Sequence, residues 1–95
     1  MLSIVRLVWD EWNVRHIARH NIVPDEVEEV CHGDPYPEKG KKGRLRLTGP
    51  TTSGRMLVVV LDPGEEPGAY YPVTARPASR KERRAYQIAK GGEKE

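Results

Sequence analysis

The spacing of hydrophobic and polar residues predicts four β-strands and three helices. Ser3 to Trp9 is rich in β-branched side chains and favours a first strand, and Arg44 to Thr48 alternates apolar and polar residues with a period of two. The continuous apolar run from Arg55 to Leu61 is typical of a central strand. Ala69 to Ala75 is predicted as a last strand, in which Pro72 suits an edge or a bulge.

The helices are predicted from their capping residues. Asp10 is an N-cap for a first helix that runs to about His20 and ends at Asn21, a residue that tolerates the left-handed conformation. A second helix is predicted from Val23-Pro24 to Gly33, and a third from the capping box Ser79-Arg80-Lys81-Glu82 to near Lys90. The expected buried positions are Val14, Ile17 and Ala18 in the first helix and Val27, Val30 and Cys31 in the second.

These elements predict one small α+β domain with the order β-α-α-β-β-β-α over residues 1–90, followed by a disordered tail at 91–95. The strands are expected to form an antiparallel sheet packed by helices, with the later strands as a meander. The Pro/Gly/Lys-rich segment 34–42 is predicted as a connection without regular structure. The helices are expected to cover one face of the sheet and to leave the other face available.

Charge is distributed unevenly along the chain, although the net charge is only +2. Met1 to Glu38 contains three Lys/Arg residues against eight Asp/Glu, whereas Lys39 to Val60 contains six basic residues and no acidic one. Arg76 to Lys90 adds six basic residues against Glu82 alone. Such asymmetry suggests a polyanionic partner, while a merely solvated basic surface remains the alternative.

The single cysteine, Cys31, excludes an intrachain disulfide and therefore a secreted disulfide framework. The opening residues lack the uninterrupted apolar stretch of a signal peptide, and no run approaches transmembrane length. A cytoplasmic protein without a membrane partner is expected.

The most basic segment lies where the last strand gives way to the last helix. Arg80, Arg84 and Gln87 share one helix face, Arg83 lies beside them, and Arg76 precedes the helix. Guanidinium groups match phosphate oxygens, and a helix N-terminus adds free N–H groups. The run predicts an RNA-binding surface, and a solvated basic helix is the alternative.

The first helix supplies two imidazoles, His16 and His20, spaced one turn apart. Imidazole titrates near neutrality, so either ring can exchange a proton with a ribose hydroxyl or a leaving oxygen. Zinc bound with help from Cys31 and His32 is a weaker alternative, and purely structural histidines are another. Candidates for stacking on unpaired bases are Trp12, Tyr36, Tyr70, Tyr71 and Tyr86.

In these features the chain resembles the BrnT family of type II toxins, small ribonucleases with a fold related to RelE toxins. The resemblance covers most of the chain in order. Its pieces are Val8-Trp9-Asp10-Glu11, His16-Ile17-Ala18-Arg19-His20, Ile22-Val23, the strand 54–60 and the closing segment 74–86. Asn21 stands in place of the family's glycine.

The resemblance implies metal-independent RNA cleavage without a cofactor. It also implies neutralisation by a ribbon-helix-helix antitoxin, with a homodimer or a heterotetramer with the antitoxin as possible assemblies. His20 is the expected base or acid, Tyr86 is a second candidate, and Arg76 and Arg83 are expected to clamp the transition state. The expected RNA-binding residues are His16, Arg19, Arg44, Arg46, Arg80, Lys81 and Arg84. A non-catalytic nucleic-acid-binding module and a protein that docks an acidic partner remain alternatives.

Overall fold

A computed structural model describes residues 4–91, so the predictions for Met1 to Ser3 and for the tail at 92–95 lie outside the described residues. The five strands are β1 (Arg6–Leu7), β2 (Tyr36–Lys39), β3 (Leu45–Pro50), β4 (Met56–Pro63) and β5 (Ala69–Pro77). The three α-helices are α1 (Glu11–Ala18), α2 (Pro24–His32) and α3 (Arg80–Ala89), and a short 3₁₀ turn covers Lys41–Gly43.

The strands form one mixed sheet in the order β1-β5-β4-β3-β2. The apolar run predicted as central is β4, the middle strand, and the predicted antiparallel meander of β3, β4 and β5 is confirmed. An antiparallel sheet was expected, but β1 pairs in parallel with β5, so the sheet is mixed. The register between β4 and β5 shifts beside Leu61 and Pro72. Of the two alternatives predicted for that proline, the bulge is therefore confirmed, whereas β5 is not an edge strand.

The prediction that segment 34–42 lacks regular structure is wrong. Tyr36–Lys39 forms strand β2, which pairs antiparallel with β3 at the edge of the sheet. Every side chain of β2 is exposed, so the strand has no buried face and its sequence lacks the apolar alternation that reveals strands. Pro37 and two charged residues are typical of an edge strand that must not pair with other molecules.

The hydrophobic core lies between one face of the sheet and helices α1 and α2. Ile17 in α1 and the predicted trio in α2 are buried as expected. Val14 is only partly buried and Ala18 is exposed, however, whereas Asn13 is fully buried. From the sheet, the core receives Leu45, Leu47, Leu57, Val59, Leu61 and Ala75.

Helix α3 packs on the opposite face, which corrects the expectation that this face stays available. The Glu82 carboxylate binds the guanidinium groups of Arg46 and Arg76, whose side chains alternate with the buried Leu45, Leu47 and Ala75. Further along the helix, Tyr86 donates a hydrogen bond to the Asp34 carbonyl at 2.7 Å. No residue of α3 is buried, so polar contacts rather than apolar burial attach it to the sheet.

Candidate functional site

The end of α1 and the start of α3 lie at the same end of the sheet, where β4 begins. The Ala78 N–H, just before α3, donates to the Met56 carbonyl at 2.9 Å. The neighbouring Arg55 guanidinium donates to the carbonyls of His20 at 3.3 Å and Asn21 at 2.9 Å, just after α1. Arg55 and Met56, at the start of β4, therefore link the end of α1, which carries the histidines, to the start of α3, which carries the arginines.

Sequence reasoning placed Arg55 at the start of the central strand and missed its contacts with the end of α1 and with α2. Its guanidinium also pairs with the Glu26 carboxylate at 3.1 Å, so three elements converge on one side chain. The signal available in the sequence was weak, because an arginine before a strand has many possible partners. The end of the first helix at Asn21 was predicted correctly, since Asn21 has a left-handed φ of 65°.

His20 lies on the surface at this end of the sheet. Its backbone is fixed by its own N–H bond to the Ile17 carbonyl at 3.0 Å and by the Arg55 contact to its carbonyl. The imidazole is exposed and has no hydrogen-bond partner among residues 4–91. Its two ring nitrogens are thus accessible to a ligand from solvent.

The first turns of α3 carry a group of cations that we term the α3 basic cluster, made up of Arg80, Lys81, Arg83 and Arg84. These four residues and Gln87 line an open cavity of 540 Å³. None of the four forms an ion pair with a carboxylate of residues 4–91, and all are exposed. Arg83 donates to the Ala78 carbonyl at 3.2 Å, which holds its guanidinium at the helix start.

Arg76 differs from that cluster because its guanidinium is occupied. It binds both carboxylate oxygens of Glu82 at 2.8 and 2.7 Å, and the same carboxylate pairs with Arg46, which also binds Glu38. The bonds from Arg76 and from the Ser79 backbone hold the pKa of Glu82 far below its ordinary value, although burial opposes them. Two arginines and two glutamates therefore form a network without net charge around the residue expected to clamp phosphate.

The Glu82 carboxylate is expected to make the stability of α3 depend on pH. Because its pKa is lower in the folded protein, the charged group stabilises the fold above its ordinary value of 4.5, and this contribution disappears as pH falls towards the folded pKa. Glu82→Gln, which keeps the capping geometry, is expected to lower the free energy of unfolding by about 1 kcal/mol at pH 7 and progressively less below pH ~4. Urea unfolding at several pH values measures the difference.

The matched control is Glu11→Gln, because Glu11 pairs with Arg15 on the surface of α1 with both side chains more than three-quarters exposed. That variant is expected to change stability by only a few tenths of a kcal/mol at any pH. An equal effect of the two substitutions at pH 7 would contradict the importance of the Glu82 network.

Other residues expected at the site lie elsewhere or are engaged. Arg44 forms a two-bond ion pair with Asp62 at 2.7 and 3.2 Å, away from α3. Tyr86 donates its hydroxyl hydrogen to Asp34, and burial raises its pKa, with Asp34 adding to the increase and Lys90 opposing it. The phenol is therefore protonated at neutral pH.

The residues of the zinc hypothesis are not assembled. Within residues 4–91, no group of three or more His, Cys, Asp or Glu side chains is arranged to hold a metal ion. Burial raises the pKa of Cys31 to about 12, and His32 bonds to Glu28 at 3.1 Å. His16 instead stacks on Trp12, with ring centroids 4.8 Å apart. In the same range, no helix is long and apolar enough to cross a membrane.

Comparison with known proteins gives a likeness of fold. No protein-family model and no curated protein matches the chain. The fold is similar to the 1.1 Å crystal structure of the ribonuclease toxin BrnT from Brucella abortus, with a TM-score of 0.58 and 24% identity over 79% of this chain and 97% of that chain. The expected BrnT-like α+β fold is thereby confirmed.

Proposed function

We propose that this protein is a ribonuclease of the toxin type, which cleaves RNA by attack of a ribose 2′-hydroxyl on the adjacent phosphate. The observation that supports this most directly is the convergence of His20 and the α3 basic cluster on one end of the sheet, through Arg55 and Ala78. An accessible imidazole at the same end of the sheet as cations without carboxylate partners is suited to a polyanionic substrate. The similarity of the fold to that of a ribonuclease toxin supports the same proposal.

In this proposal His20 accepts the proton of the 2′-hydroxyl as its oxygen bonds to phosphorus, and the P–O5′ bond then breaks. The products are a 2′,3′-cyclic phosphate and a 5′-hydroxyl, whose proton comes from a general acid. Tyr86 is the candidate for that acid, and its hydroxyl must first release the Asp34 carbonyl to which it donates. Charge that gathers on the phosphoryl oxygens is stabilised by Arg83, whose guanidinium is held at the helix start.

Arg76 can offer the Nη1–Nη2 face of its guanidinium to the same phosphate only if Glu82 releases it, since both nitrogens bind that carboxylate in the free protein. Arg46 has the same constraint. We therefore assign flanking phosphates first to Arg80, Lys81, Arg84 and Arg19, and we place Arg44 and Arg46 at the margin of the RNA path. No cofactor is part of this mechanism.

The proposal includes an antitoxin partner that covers the exposed surface of α3. Ile88 is 48% exposed, and neither Ala85 nor Ala89 is covered by the sheet, so an apolar strip lies beside the basic cluster. A partner that covers this strip with apolar side chains and meets the cations with acidic ones would block RNA. A ribbon-helix-helix antitoxin, an assembly of toxin and antitoxin dimers, and action in the cytoplasm belong to this proposal.

The function is tested by incubating purified protein with single-stranded RNA in the presence of a chelator. The expected result is cleavage to fragments that end in a 2′,3′-cyclic phosphate. Fragment termini identify the chemistry, because cleavage by attack of water would leave a different pair of ends. RNA that stays intact at high protein concentration would contradict the nuclease proposal.

The engaged state of Arg76 favours a second candidate, a nucleic-acid-binding protein without catalysis. On that alternative the protein binds RNA, the logarithm of affinity falls linearly with the logarithm of salt concentration, and no fragments appear. The chelator experiment separates the two functions, since only the first gives products.

A further inference from the structure

The exposed face of α1 carries an aromatic stack that the proposed cleavage chemistry does not use. The rings of Trp12 and His16 are 4.8 Å apart at their centroids and tilted by only 8°. His16 is half-buried, while Trp12 is 56% exposed although its ring already has a neighbour on one side. One face of the indole is therefore held by the imidazole, and the rest of the ring is open to solvent.

The surroundings of this stack are polar and cationic. Trp12 and His16 line an open cavity of 320 Å³ together with Glu11, Arg15 and Arg19. Glu11 holds Arg15 at 2.7 Å, so that pair is neutral, whereas Arg19 forms no ion pair with any carboxylate of residues 4–91. An open aromatic face next to an uncompensated arginine is the combination with which proteins bind unpaired nucleotides, the base on the ring and the phosphate on the cation.

We propose that Trp12 and Arg19 form a subsite for one unpaired base of the RNA substrate. The base stacks on the open face of the indole, and its phosphate pairs with Arg19. The subsite adds detail to the proposed function, and it depends on that function only in taking RNA as the substrate. Arg19 immediately precedes His20 in the chain, so the subsite and the proposed base are carried by the same end of α1.

His16 supports the ring rather than the base. Its stacking fixes the indole against α1, which lowers the conformational entropy that the ring would otherwise lose on binding. Because bases in a duplex hide both faces, the subsite selects single-stranded RNA, loops and unpaired ends. A base that is stacked needs no hydrogen bonds to its edge, so the selection is for unpaired structure more than for sequence.

The test uses a short single-stranded 2′-O-methyl RNA, which lacks the attacking hydroxyl and cannot be cleaved. In protein carrying Trp9→Phe, Trp12 is the one remaining tryptophan, because the chain has two. Binding of this oligonucleotide is expected to quench the fluorescence of Trp12. An abasic strand of the same length is expected to cause much less quenching.

Affinity is measured by titration in parallel. Trp12→Ala is expected to weaken binding about 5- to 100-fold, and Trp12→Phe is expected to restore most of it because a flat ring remains. Val23→Ala is the matched control, since Val23 is an exposed apolar residue with 54% exposure beyond the cavity. It is expected to bind as the wild type does.

Equal affinities of the Trp12→Ala and wild-type proteins would overturn the subsite and leave the exposed ring to a protein partner. Equal quenching by the abasic and the intact strand would overturn it as well. Neither result depends on cleavage. The proposed function fails in a different way, through wild-type protein that leaves ordinary RNA intact.

Discussion

Replacement of His20 by alanine is expected to lower the rate of RNA cleavage by about a hundredfold to ten-thousandfold. The structure fixes the backbone of this residue through Arg55 and leaves its imidazole exposed, so the side chain can be removed without opening the core. Since His20 does not belong to the α3 basic cluster, affinity for RNA is expected to change little. The measurement is a single-turnover cleavage rate beside a binding titration.

The matched control is His32→Ala. His32 is also a partly exposed histidine at the end of a helix, but its ring bonds to Glu28 within α2. Its removal is expected to leave cleavage unchanged. Wild-type cleavage by the His20 variant would show that the general base has been misassigned, whereas a loss of binding and cleavage together would indicate that His20 holds substrate instead.

Replacement of Asn13 by alanine is expected to lower the free energy of unfolding by about 2–4 kcal/mol. The side chain is fully buried and donates to the carbonyls of Val8 at 3.0 Å and Pro72 at 3.1 Å. Its oxygen accepts the Asp10 N–H at 2.9 Å, which completes the capping box of α1. Alanine would remove the donor that Asn13 supplies to both carbonyls and the reciprocal cap of α1.

Chemical unfolding monitored by circular dichroism measures this loss. The control is Asn21→Gly, which changes an exposed asparagine that already has a positive φ of 65°. Glycine adopts this conformation without strain, so stability is expected to change by less than about 1 kcal/mol. A similarly small effect at Asn13 would contradict its role as the link between α1 and β5.

The fold was predictable from the sequence where local signals are strong. The capping box at Ser79 and Glu82 starts α3, and the apolar run over β4 marks the central strand, because each depends on neighbours in the chain. β2 was missed since its pairing with β3 leaves no buried face to impose alternation. Asn13 was missed for the opposite reason, because its burial depends on two carbonyls that only the tertiary fold brings to it.

The candidate site was predictable as a location more than as a set of free side chains. His20 and the start of α3 lie at the same end of the sheet because α1 ends at Asn21 and because β5 ends beside the start of β4. Only the end of α1 at Asn21 could be predicted from the sequence. The engagement of Arg76 was not visible. Glu82 was recognised as a capping residue, but the same carboxylate also binds two strands, and long-range ion pairs leave no periodic signal.

The polar attachment of α3 also determines how the domain fluctuates. A helix without a buried residue loses little apolar contact when it detaches, so α3 belongs to the part of the domain that opens locally at lower cost than the core. Each such opening separates Glu82 from the sheet and leaves Arg46 and Arg76 momentarily without their shared partner. The native ensemble is therefore expected to contain a minor population in which two further cations face solvent, and a polyanion that binds them would enrich that population.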